Sequence, residues 1–125
     1  MINGCHVLLY SRDPEADRAF LRDVLRFKTI DIGQGWLIFG LPPSELAVHP
    51  NDGDFTQTHA NHSMMGAIVY LMSDDLNAEI QSLRAKGVKC TEVETAPWGE
   101  KTTIPLPSGG EIGLYQPRHP TAIGV

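Results

Sequence analysis

An α+β fold is predicted, built from two tandem βαβββ modules that form cupped mixed sheets around a pocket, with the helices on the outside. Three observations predict it. The order strand, helix, three strands occurs twice along the 125 residues. The segment Leu41-Pro42-Pro43-Ser44 with Glu45-Leu46-Ala47-Val48 is matched by Leu106-Pro107-Ser108 with Glu111-Ile112-Gly113-Leu114. Between the two copies lies a polar stretch without apolar period. The modules cover about 4–50 and 66–117, the linker about 51–65, and the whole chain, 1–125, is one domain.

Residues 4–11 are apolar, short and partly β-branched, the character of a strand. Asp13-Pro14 supplies an N-cap followed by proline at the first helical position. Ala16, Phe20 and Val24 then recur on one helical face, flanked by Leu21 and Leu25. Strands follow at Phe27–Ile32 and Trp36–Leu41, joined by Gly33-Gln34-Gly35, and a short fourth at Glu45–His49 after the Pro42-Pro43 break. In the second copy Gly66–Met72 is a strand and Asp74-Asp75 starts a helix whose face is Leu76, Ile80 and Leu83. Gly87 closes that helix. Val88–Glu94, Lys101–Leu106 and Glu111–Gln116 complete the module, with Pro107-Ser108-Gly109-Gly110 as a turn.

At 42% hydrophobic and 20% charged residues, a packed core is expected. A net charge of −5 with scattered basic residues argues against nucleic acid, which is held by clustered Lys and Arg. No apolar stretch approaches the roughly 20 residues that span a bilayer, so no membrane role is expected. Met1-Ile2-Asn3-Gly4 has neither region of a signal peptide, which points to the cytoplasm. The two cysteines, Cys5 and Cys90, are there expected to be reduced, small buried residues, though a disulfide is open in principle. Cys5 and His6 are adjacent and point to opposite faces of a strand, so no Cys/His or Ser/His/Asp catalytic arrangement assembles.

Arg18-Ala19-Phe20-Leu21-Arg22-Asp23-Val24-Leu25-Arg26-Phe27 resembles the helix of the vicinal oxygen chelate superfamily that ends Phe-Tyr…Leu-Gly-Phe, with Leu21 and Arg26 where Tyr and Gly are usual. Pro97-Trp98-Gly99 and Leu106-Pro107-Ser108-Gly109-Gly110 resemble its late Trp-Gly and Asp-Pro-Asp-Gly-Asn signatures. The group includes glyoxalase I, extradiol dioxygenases and bleomycin- and fosfomycin-resistance proteins. The resemblance implies the doubled fold, and many reactions share that fold. It implies four metal ligands in the metal-dependent members. His6 matches the first, whereas Ala47, Ile68 and Gly113 fall on the other three. A catalytic divalent site needs three protein ligands, so no metal cofactor is expected. The alternative is a divalent metal on a set shifted by one pleat, drawn from His6, Glu45, His49 and Glu111. His59 and His62, in the linker, would join only if that segment folded inward.

With His6 facing inward, alternation sends Leu8 and Tyr10 the same way, and Val7 and Leu9 toward the helix. Ile68, Tyr70 and Met72 follow in the second copy, although for Leu8, Ile68 and Met72 a core position is the stronger expectation. The expected ligand pocket is His6, Tyr10, Glu45, His49, Tyr70, Trp98, Glu111 and Tyr115. Glu45 and Glu111 would flank aromatic walls, which favours a cationic, partly aromatic ligand. The functional reading is a small-molecule binder of the glyoxalase/bleomycin-resistance type without the usual metal. Its alternative is a metal-dependent lyase, isomerase or dioxygenase; nothing in the residues speaks for a purely structural domain. Relatives of this size pair their chains to complete their sites, and the open strand edges need cover, so a symmetric homodimer is expected.

Overall fold

The computed structural model describes residues 1–50 and 53–124; Asn51 and Asp52, at the start of the expected linker, and Val125 lie outside the described residues. The elements in chain order are α1 (Pro14–Asp23), β1 (Thr29–Asp31), β2 (Leu37–Phe39), β3 (Thr56–His59), β4 (His62–Met65), β5 (Tyr70–Met72), α2 (Leu76–Ala85), β6 (Glu94–Ala96), β7 (Gly99–Pro105) and β8 (Glu111–Pro117).

Both helices begin with the same local chemistry. The Asp13 carboxylate accepts from the Ala16 amide at 3.2 Å and the Asp75 carboxylate from Ala78 at 3.1 Å. Ahead of each cap, Ser11 and Ser73 accept from the Asp13 and Asp75 amides at 3.0 and 3.1 Å. This repeated Ser-x-Asp entry is the internal repeat at atomic level. The helices end differently. Gly87 (φ 84°) closes α2, with the Val88 amide donating to the Leu83 carbonyl and the Gly87 amide to that of Arg84, both at 3.0 Å. After α1 the left-handed position is Arg26 (φ 65°), where a side chain is strained.

The second copy forms its helix and one four-stranded sheet, with the first strand shortened from the expected 66–72 to Tyr70–Met72. Its sheet has the order β5-β8-β7-β6, with β5 parallel to β8 and the other pairs antiparallel. Thr102, Ile104, Ile112 and Leu114 are buried on one side of the sheet, and the α2 face of Leu76, Ile80 and Leu83 is buried with them. Val88 and Cys90 join this core before β6. The expected strand over 88–94 is reduced to Glu94–Ala96, although the Thr91 amide still donates to the Thr103 carbonyl at 3.2 Å.

The first copy departs from expectation. Its central hairpin β1–β2 forms, closed by the Asp31 carboxylate accepting from the Gly33 and Gly35 amides at 2.8 and 3.2 Å. Residues 4–11 and 45–49, expected to pair as the counterparts of β5 and β8, form no strand. The physical reason lies in what α1 covers. Its apolar side, Phe20 and Val24 with the adjoining Leu25, packs against the core of the second copy. The first-copy strands therefore have no helix behind them. Val7, Leu8, Leu9 and Tyr10 are all exposed, so the inward–outward alternation expected there is absent, and Ile68 is exposed rather than core.

The expected linker is also structured. β3 and β4 pair from Thr56↔Met65 to His59↔His62 across the two-residue turn Ala60-Asn61, both with positive φ (50° and 67°). Every residue of the two strands is exposed, which is why no apolar period announces the hairpin.

One buried carboxylate joins the copies. Asp17, 7% exposed, accepts from the Ser11 hydroxyl at 2.6 Å, the Ser108 amide at 3.0 Å and the Ser108 hydroxyl at 2.6 Å. Burial works to raise its pKa, but the Ser108 and Ser11 hydroxyls and the Ser108 amide together outweigh burial and hold it below the ordinary 3.8. A depressed folded-state pKa means that this carboxylate stabilises fully above 3.8 and loses its contribution as pH falls through the lower folded value. Asp17→Ala is expected to cost about 2–3 kcal/mol at neutral pH. In urea unfolding across pH 2 to 6 the variant should also show a smaller acid-side loss than the parent; equal slopes would contradict the clasp.

Candidate functional site

The open side of the second sheet carries the aromatic residues. Tyr70 on β5 is level with Gly113 on β8, and Tyr115 on β8 is level with Lys101 on β7. Trp98 sits in the two-residue turn between Ala96 and Gly99. Gly99 lies so close to the Gln116 carbonyl that a Cβ has no room, so glycine is required directly behind Trp98. Gly113 serves the same purpose for Tyr70, whose ring lies across its bare α-carbon.

The three rings meet edge to face, with centroids 6.5 Å apart for Tyr70–Trp98, 5.4 Å for Tyr70–Tyr115 and 5.5 Å for Trp98–Tyr115. Such pairs add about 0.5–1.5 kcal/mol each beyond burial. Lys101 Nζ lies 5.8 Å from the Trp98 centroid and 3.3 Å from Glu94. Its ammonium is raised above the usual range by the hydrogen bond to Glu94, with smaller contributions from Tyr70.

Glu45 reaches this cluster from the first copy. Its carboxylate accepts from the Tyr115 hydroxyl at 3.5 Å and the Ala122 amide at 2.7 Å, and stands 4.0 Å from His119 Nε2. Burial, then the Glu45 charge, pushes the Tyr115 phenol up. The tail that carries His119 is tied back by the Arg118 amide donating to the Trp98 carbonyl at 2.9 Å and by an Arg118–Glu100 ion pair of 2.9 Å.

Of the eight pocket residues expected from sequence, Glu45, Tyr70, Trp98 and Tyr115 come together. Glu111 shares the open face but lies four residues from Tyr115, about 13 Å along the strand, and accepts from the Thr103 hydroxyl at 3.3 Å. Tyr10 touches His59 on the hairpin instead. His6 and His49 are exposed, each on a stretch that pairs with no strand. Among the described residues, no three His, Cys, Asp or Glu side chains converge as metal ligands, so the shifted set does not assemble within one chain. Lys101, which stands opposite Tyr115, adds a cation to the face beyond the residues expected from sequence. Lys101 and His119 escaped the sequence reading because the first sits on an ordinary strand and the second lies past the repeat. Both cysteines are free, Cys5 exposed and Cys90 buried, with burial raising the Cys90 thiol. A separate cleft of about 290 Å³ lies on the helical side, where Val24, Phe27 and Pro42 face Ser82 and Lys86. Its floor is the core residues Leu71, Ile104 and Leu114, so it marks the seam between the copies.

Gly113→Ala is expected to drive Tyr70 off the sheet and to cost about 1–3 kcal/mol by overpacking. Unchanged urea stability would show that the ring does not need the gap.

No curated protein matches the chain. Among solved structures it is similar to TnmS3, an antibiotic binding protein from Streptomyces sp. CB03234, with 22% identity, TM-score 0.58 and coverage of 94% of this chain and 99% of that one. Lactoylglutathione lyase from Agrobacterium tumefaciens is similar at 19% identity and TM-score 0.58, covering 86% and 88%. A glyoxalase/bleomycin resistance protein from Streptomyces sp. CB03234 is similar at 21% identity and TM-score 0.52, covering 85% and 93%. These likenesses establish the fold. The sequence profile of the Glyoxalase/Bleomycin resistance protein/Dioxygenase superfamily matches residues 5–113, and the chain belongs to that superfamily.

Proposed function

We propose that the protein is a cytoplasmic homodimer that binds a small molecule with a flat aromatic body, without the metal of its enzymatic relatives. The observation that carries this reading is the Tyr70–Trp98–Tyr115 cluster, built around two glycines that make room for it. Aromatic edges and faces bind planar rings in preference to aliphatic bodies of equal size. Glu45 and Lys101 give the cluster one group of each charge, suited to a ligand with both a donor and an acceptor. TnmS3, similar in fold, is an antibiotic binding protein, which supports a ligand of the same broad kind.

Pairing of two copies is supported by the apolar residues that one chain leaves open. Leu46, Val48 and Ile68 are 84%, 79% and 78% exposed, and the 4–10 and 45–49 stretches have unpaired backbone. β5 is also an uncovered sheet edge. A second copy can cover all of these at once. Light scattering at micromolar concentration is expected to give twice the 13.7 kDa chain mass. A monomer alone would end this part of the proposal.

For the ligand, a thermal-shift panel reads binding directly, since a compound that binds only the folded state raises its melting temperature. Flat aromatic compounds should raise it more than aliphatic ones of equal size, and Trp98→Ala should abolish the difference. Retention of the ranking in that variant would move the site elsewhere. The competing reading is a metal-dependent lyase, isomerase or dioxygenase using His6, Glu45, His49 and Glu111, drawn together only in a dimer. Metal analysis decides it: one tightly held divalent ion per chain, lost in His6→Ala, would replace the metal-free binder with the enzyme.

A further inference from the structure

We propose that the tip of the β3–β4 hairpin is a transition-metal site, selective for copper, with His59 and His62 as its nitrogen ligands and Met64 as a soft third donor. The site is separate from the aromatic face and does not depend on the function proposed for it.

The argument starts from register. His59 and His62 are directly opposite each other in an antiparallel pair, on either side of the Ala60-Asn61 turn. Directly opposite residues project from the same face, with Cβ atoms about 5 Å apart. Two metal–nitrogen bonds of about 2 Å each are therefore within reach of both rings without moving the backbone. The next pair inward on that face is Gln57↔Met64, because side chains two residues apart share a side. This places Met64 on the same face as the two histidines, one pair inward from them. Both turn residues hold positive φ, so the turn is tightly defined and the spacing of the pair with it.

A second observation concerns orientation. The Tyr10 hydroxyl meets His59 Nδ1. In the tautomer whose Nδ1–H donates to the Tyr10 oxygen, the lone pair left for a metal is on Nε2, the arrangement by which an outer hydrogen bond fixes a ligating imidazole. His62 and Met64 are exposed, so a hydrated ion reaches the tip without an entry path.

The donor set selects the metal. Magnesium and calcium require oxygen donors, and the tip strands and their turn, Thr56–Met65, contain no carboxylate. Two imidazoles suit divalent first-row metals, for which copper stands highest in affinity, and a thioether suits copper in its reduced state. The described residues bring no third His, Cys, Asp or Glu to the tip, so water completes the coordination.

The test is titration of copper(II) chloride into the purified protein, followed by calorimetry with glycine as competitor and by electron paramagnetic resonance. One equivalent should bind with nitrogen hyperfine structure, and His59→Ala and His62→Ala should each remove it. Circular dichroism confirms that both variants remain folded, as expected for exposed positions. Tyr10→Phe should weaken binding about tenfold by freeing the His59 ring. Met64→Leu should leave copper(II) affinity unchanged and weaken copper(I), measured under ascorbate against bicinchoninate. Binding that survives the His59→Ala, His62→Ala double variant, or that is lost on Cys5→Ser or His6→Ala instead, would overturn the proposal. So would the absence of any binding above that double variant.

Discussion

Asp17 is an anion with little water around it, and its three hydrogen bonds come from both halves of the repeat. Ser11 precedes its own helix, while Ser108 belongs to the last turn of the second copy. Without those donors a carboxylate at this depth is costly. With them it fixes where α1 lies, and α1 in turn decides which core its apolar side completes. The choice is the second copy: Phe20, Val24 and Leu25 close the cluster around Leu76 and Ile104. Everything unusual about the first copy follows, since its outer strands lose the helix that would otherwise back them.

The same asymmetry shapes the candidate site. Its walls stand on the completed sheet, where Gly99 and Gly113 admit close neighbours, while the first copy contributes a single carboxylate, Glu45, from an unpaired stretch. That carboxylate is tied to the Tyr115 hydroxyl and to the tail amide of Ala122. One residue therefore links the two copies and the C-terminal segment at the edge of the aromatic cluster. A small molecule seated there would meet a rigid wall on one side and a chain segment held by few bonds on the other.

Much of the fold was legible because local chemistry agrees with it. Asp13-Pro14 and Asp75 start helices, Gly87 ends one, and Leu76, Ile80 and Leu83 fall on a single face that is buried. The two Leu-Pro…Glu-apolar-small-apolar segments identified the repeat, and the 18–27 and Pro97-Trp98-Gly99 segments carried the resemblance to the family. What could not be read was which partner each apolar face would choose. Val7, Leu8 and Leu9 look the same as Ile104 and Leu114 in composition, and only tertiary packing separates them. The β3–β4 hairpin was missed for the opposite reason, since polar strands with an Ala-Asn turn carry neither alternation nor the usual Asn-Gly signal. In the site, Tyr70, Tyr115 and Glu45 were reached by alternation and repeat register, and Trp98 by its place on the glycine-containing loop before a strand. Lys101 was not, because a lysine on a strand gives no sign in the sequence of the ring it approaches.

The unequal burial of the two copies also sets an order of events during folding. Among the described residues, the buried apolar side chains all lie between Leu76 and Leu114, so the contacts among them stay within one copy of the repeat. Collapse there requires little chain entropy to be lost before contacts reward it, which favours early formation of this half. The 4–10 and 45–49 stretches have nothing to dock on until that half exists. Changes in the α2–β8 region should therefore act on the rate of folding, and changes near Leu9 or Val48 on the rate of unfolding.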